Sequence, residues 1–187
     1  AHLSLVSRVA PAMPDHTGRS NKVAHHIVLR KRELPAGGPA WLADRDGFFV
    51  EEWQGPPRYI EEPKSIPDGD APETRAETWA DIMGDAGWAG MLAYQTLRRN
   101  GAGNVTVVFE PGMPVLRLFR EALALVPVDR RWDVTFNTYF TALPAGARCD
   151  WRCCLPDADS VRDARRNPKA VLIDLTKPEP VREENAL

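Results

Sequence analysis

The hydrophobic positions of the first thirty residues fall in two stretches of strand composition separated by a polar, turn-rich connector. Residues 2–10, HLSLVSRVA, and residues 22–30, KVAHHIVLR, both have strand composition. Between them PAMPDHTG, residues 11–18, reads as a turn-rich connector. The next stretch, ELPAGGPAWLAD, carries Pro35, Gly37, Gly38 and Pro39, which predicts a loop anchored by Trp41. Phe48 to Trp53 reads as a short strand, and Gln54 to Thr74 as an ordered, irregular connection rich in proline, glycine and charge.

Beyond that point the period changes. Thr74 to Met83 predicts a helix stopped by Gly84, and Asp85 stands where an N-cap opens a second helix through GWAGMLAYQTLRRN. Trp88, Met91, Leu92 and Gln95 fall on one face of it. NVTVVFE after the NGAGN turn is a β-branched strand. PGMPVLRLFREALALVP is a helix with Pro114 in its first turn and a stripe at Val115, Leu118, Phe119, Ala122, Leu123 and Val126.

In RWDVTFNTYFTAL, Val134, Phe136, Thr138 and Phe140 alternate with Thr135, Asn137, Tyr139 and Thr141, the period of a strand with one apolar face. CDWRCCL reads as its neighbour across the LPAGAR turn, SVRDARRNP as a short basic helix, and AVLIDLT as a last strand. KPEPVREENAL, residues 177–187, is a polar tail. The expected fold is one α+β domain over residues 1–187, with a mixed, mostly antiparallel central sheet and three or so helices packed on it.

Composition narrows the class. The chain has 187 residues, 43% hydrophobic and 27% charged, the balance of a globular domain. A net charge of −2 argues against a nucleic-acid surface, and no apolar run approaches a membrane span. Seventeen prolines punctuate the chain too often for a long helical bundle. The three cysteines, Cys149, Cys153 and Cys154, are an odd set, which favours free thiols in the cytoplasm over a disulfide framework. The chain opens on AHLSLVSRVA with no methionine and is already strand-like there, so we expect a fragment lacking N-terminal strands.

The candidate chemistry lies in DHTGRSNKVAHHIVL. On a strand, His25 and His26 point to opposite faces and cannot chelate one metal without a bulge. One ring is expected to be buried and hydrogen-bonded, the other to face a cleft or solvent. Before them, Gly18 permits a tight turn and Arg19 offers a planar fork for carboxylate or phosphate. Ser20 and Asn21 add short polar groups, and His16 stands nearby. Arg19, Ser20, Asn21, His25 and His26 are therefore candidate binding residues. The bland reading pairs Arg19 with a carboxylate such as Asp15 and leaves Asn21 to stabilise the turn.

Cys149 and Cys153, four apart, would share a strand face while Cys154 faces away. One cluster is too few ligands for structural zinc, so buried thiols are the expectation and no metal or cofactor is assigned. GDAGWAG could offer backbone N–H groups to an anion, but Asp85 would occupy them and Trp88 packs most simply in a core. No P-loop signature is present, so this chain is not itself a P-loop nucleotide hydrolase.

Several stretches together resemble one bacterial family. SRVAPAMPDHTGRSNKVAHHIVL, PAGGPAWLA, GDAGWAGMLA, RWDVTFNTYFTALP and LIDLT, in this order, are similar to the N-terminal domain, type 2, of GTPase-associated protein 1, over nearly the whole chain. The resemblance implies a domain that begins before Ala1, leads a larger protein and accompanies small GTPases in bacterial conflict or signalling systems. It carries no catalytic residue over to this sequence. The leading expectation is thus a non-catalytic interaction module with a small GTPase or effector protein as partner. The alternative is an anion- or nucleotide-binding sensor or enzyme using Arg19 with His25 or His26.

Overall fold

The computed structural model describes residues 3–14, 16–53, 64–69, 75–98, 104–168 and 170–181. Asp15, the NGAGN turn up to Gly103, most of the 54–74 connection and the end of the polar tail lie outside these residues.

Two ten-residue strands, β1 (Leu3–Ala12) and β2 (Asn21–Arg30), pair antiparallel as an isolated ribbon. The polar connector and Gly18, at φ 78°, supply the turn between them. One face is buried: Val6 of β1 and Leu29 of β2 pack with Leu42, Ala43, Phe48 and Phe49.

Leu42 and Ala43 belong to α1 (Gly38–Ala43), where the sequence predicts a loop. Pro39 sits in its first turn, a position a helix tolerates because the missing N–H has no intrahelical partner there. Gly38 has φ 87°, and a Cβ on it would come within 2.9 Å of Leu123 Cδ2 and 3.0 Å of Arg131 Cβ. The prolines and glycines that look like loop signals instead let a short helix approach its neighbours closely. Phe48 and Phe49 form no strand; they are buried under the ribbon, and only Trp53 bridges to Ala12.

The rest forms a second sheet in the order β4-β5-β3-β6, made of β3 (Val105–Val108), β4 (Phe136–Asn137), β5 (Trp151–Cys154) and β6 (Val171–Asp174). All three pairings are parallel. The expected mostly antiparallel central sheet is therefore corrected: antiparallel pairing is confined to the ribbon. The difference lies at LPAGAR, whose composition predicts a tight turn between neighbouring strands. Residues 138–150 instead return the chain to the start of β4, about the dozen residues a parallel connection needs. Buried Asp150 fixes that return, accepting hydrogen bonds from the N–H of Thr135 at 2.9 Å and its hydroxyl at 2.7 Å. The strand expected through 134–141 shrinks to two residues, yet Val134 and Phe140 remain buried and Tyr139 exposed.

Helices α2 (Glu77–Met83), α3 (Gly87–Arg98) and α4 (Val115–Ala124) cover one sheet face, against Val105, Val107, Trp151, Cys153 and Ile173. The other face carries Val108, Cys149 and Cys154 against Val161 of α5 (Asp159–Arg166). Cys149 thus shares a face with Cys154 and not with Cys153, because the chain turns at Asp150 before the strand begins. Gly84 ends α2 at φ 73°, and Asp85 accepts the N–H of Gly87 at 2.7 Å. The tryptophans are anchors: the indole N–H groups of Trp79, Trp88, Trp132 and Trp151 donate to Leu118, Glu179, Pro35 and Thr96.

Helix α1 joins the two parts. Ala40 belongs to the main core and Leu42 to the cluster under the ribbon, while Arg120 of α4 holds Asp44 at 2.6 Å.

Candidate interaction surface

The ribbon carries every residue that the sequence puts forward as a site, but it does not gather them. Arg19, Ser20 and Asn21 are exposed at its turn end, where the Asn21 side-chain oxygen accepts the N–H of Lys22 at 2.8 Å. His25 lies four strand residues farther on, about 13 Å along the ribbon. Arg19 and the rings thus occupy different places on one element.

The two rings face opposite sides, as strand geometry requires. His25 points inward with Val23, Ile27 and Leu29. Its Nδ1 accepts the N–H of Val50 at 3.1 Å, and its ring meets Phe49 edge-on at 5.2 Å. Burial, with help from the positive charge of Lys64 and from His26, lowers its pKa and favours the neutral ring that this hydrogen bond needs. Arg8, opposite His25 in the register, pairs with Glu51 at 3.2 Å. His26 points outward and shares a 2.7 Å hydrogen bond, Nδ1 to Oγ, with Ser7 directly across the ribbon.

Around the Ser7–His26 pair lies an exposed aliphatic surface. Leu5 is opposite Val28 and Val9 opposite Ala24. Leu3, Leu5, Val9 and Val28 are between 58% and 63% exposed, an unusual state for four aliphatic side chains on one ribbon face. The signal was present in the sequence. β1 carries aliphatic side chains on both faces, Val6 and Ala10 inward and Leu3, Leu5 and Val9 outward, and the described residues cover only the inner one.

Elsewhere several ionisable groups hold parts of the fold together. Arg131 is buried and donates to the carbonyls of Val126, Ala36 and Ala124 at 2.7–2.9 Å. Asp174 accepts the hydroxyl of Thr176 at 2.6 Å beside Arg165 and Lys177. Burial raises all three cysteine thiols, Cys149 to about 11. No group of three or more His, Cys, Asp or Glu side chains among the described residues could hold a metal ion, and no helix there is long and apolar enough to cross a membrane.

The structure defines an α+β protein in which an antiparallel ribbon is joined through α1 to a helix-covered parallel sheet. Residues 1–67 match the family model of GTPase-associated protein 1, N-terminal domain type 2, and residues 76–177 match GTPase-associated protein 1, middle domain. The chain belongs to the GTPase-associated protein 1 family. GDAGWAGMLA, RWDVTFNTYFTALP and LIDLT fall within the middle-domain match, and the ribbon and α1 within the N-terminal one. Comparison with curated proteins and with solved structures gave no match.

Proposed function

We propose that this chain is a non-catalytic interaction module, acting in the cytoplasm with a small GTPase or its effector, and that the ribbon is its contact element. The observation that carries the reading is the row of exposed aliphatic side chains on the ribbon of a GTPase-associated protein 1 chain. Free buried thiols support a reducing compartment. A sensor or enzyme built on Arg19 with His25 or His26 would need groups spread along the ribbon to converge, so we favour interaction. The test is retention of small GTPases from the same cells by the tagged full-length protein, with GDP and with a non-hydrolysable GTP analogue. Retention in either state is expected; failure in both would overturn the reading.

A further inference from the structure

We propose that the outer face of the β1–β2 ribbon recognises a polypeptide segment made of a short aliphatic stretch with carboxylates at both ends. The proposal rests on the reading of the chain as an interaction module and names the chemistry of its partner.

The two ribbon strands carry three formal charges, Arg8, Lys22 and Arg30, and no acidic residue. Arg8 faces inward to Glu51. Lys22 and Arg30 are exposed and share the outward face with His26, at positions four apart. They therefore stand at the two ends of that face, roughly 27 Å from each other along β2. The aliphatic pairs Leu5–Val28 and Val9–Ala24 lie between them. Ser7 engages Nδ1 of His26, which leaves Nε2 as the polar atom of the ring for a partner at the centre. An occupant that buries the aliphatic side chains must place something beside Lys22 and Arg30, and a carboxylate at each end is the complement that does not strand a charge.

The same charges argue against a second copy of this chain. Stacking two outer faces antiparallel about His26 would bring Lys22 of one copy against Arg30 of the other, and like charges brought together across an interface are destabilising. They also argue against a lipid surface. Membrane-binding basic clusters hold about four to eight Lys or Arg close together, and membrane faces favour Trp and Phe. This face has two cations at opposite ends and no aromatic side chain besides His26.

The test uses the protein and three fluorescent peptides: a Thr–Val alternating centre with glutamates at both ends, the same centre with lysines at both ends, and a Thr–Ser centre with glutamates. Anisotropy should show that the first peptide binds about tenfold or more tighter than the other two and weakens as salt is raised. Lys22→Glu with Arg30→Glu should reverse the preference toward the lysine-ended peptide. Leu5→Ser with Val28→Ser should abolish binding of all three. These substitutions are at exposed positions, and melting curves verify that each variant folds; Val9→Ser with Lys22→Gln replaces any that does not. No binding of the first peptide, equal binding of the lysine-ended one, or no reversal by the charge-swapped variant would overturn the proposal. So would a dimer in sedimentation, or binding to phosphatidylcholine–phosphatidylserine vesicles, that Leu5→Ser with Val28→Ser removes. Peptide binding with no GTPase retained would overturn the GTPase assignment alone. GTPase retention with no peptide bound would overturn the face alone.

Discussion

Glu121 on α4 caps α2 from the side: it accepts hydrogen bonds from the N–H of Thr78 at 3.1 Å and from its hydroxyl at 2.5 Å. It also takes the N–H of Trp79 at 3.4 Å. Ala76 at the N-cap has no side-chain acceptor, so a buried carboxylate from another helix satisfies donors that the local sequence leaves open. Glu121→Ala should lower stability by about 2–3 kcal/mol, read as a shift in the urea midpoint at constant slope. A loss under about 0.5 kcal/mol would mean that water replaces the carboxylate at these donors.

Gly38 and Arg131 form the second joint. A methyl at position 38 meets Leu123 and Arg131 and forces a left-handed conformation on a side chain, so Gly38→Ala should destabilise by about 1–3 kcal/mol. Arg131→Met leaves three backbone carbonyls without their donor and should cost about 3 kcal/mol or more. Both values follow from chemical denaturation of the purified variants.

His25 makes stability depend on pH. Its folded-state pKa lies below the ordinary 6.5, so the unfolded chain takes up the proton first as pH falls through that value. Stability should decline from pH 6.5 downward and level off, for this group, once the folded-state value is passed. Lys64, His26 and Arg8 with its partner Glu51 are the charged or titratable neighbours. His25→Gln should flatten that part of the profile, and an unchanged slope immediately below pH 6.5 would show that another group is responsible.

The thiols should be inert in the folded state. All three are buried, with pKa values raised by burial, so little thiolate exists at pH 8. Ellman's reagent should titrate none rapidly in native protein and all three in guanidinium. A fast-reacting native thiol would contradict the packing of the helices on the two faces of the sheet.

Because α1 contributes to both cores, the ribbon and the sheet should melt together. A single calorimetric transition is expected, with equal calorimetric and van't Hoff enthalpies. Two transitions would show that the two matched segments are independently stable.

Local composition, spacing and capping residues determined many elements of this protein. Both ribbon strands, the Gly84 stop, the Asp85 start, the stripe of α4 and the opposed rings of His25 and His26 are local consequences of side-chain spacing and backbone sterics. The direction in which β5 runs was not local. It depends on Asp150 meeting Thr135 across a connection whose composition resembles a hairpin turn. The helix at 38–43 was hidden for the same reason, since its glycine and prolines have meaning only beside Leu123 and Arg131. Nor could spacing say which face of a two-sided apolar strand is covered. Burial belongs to pairs of elements, and only the packing of α1 and Phe49 on the inner face left Leu5, Val9 and Val28 outside.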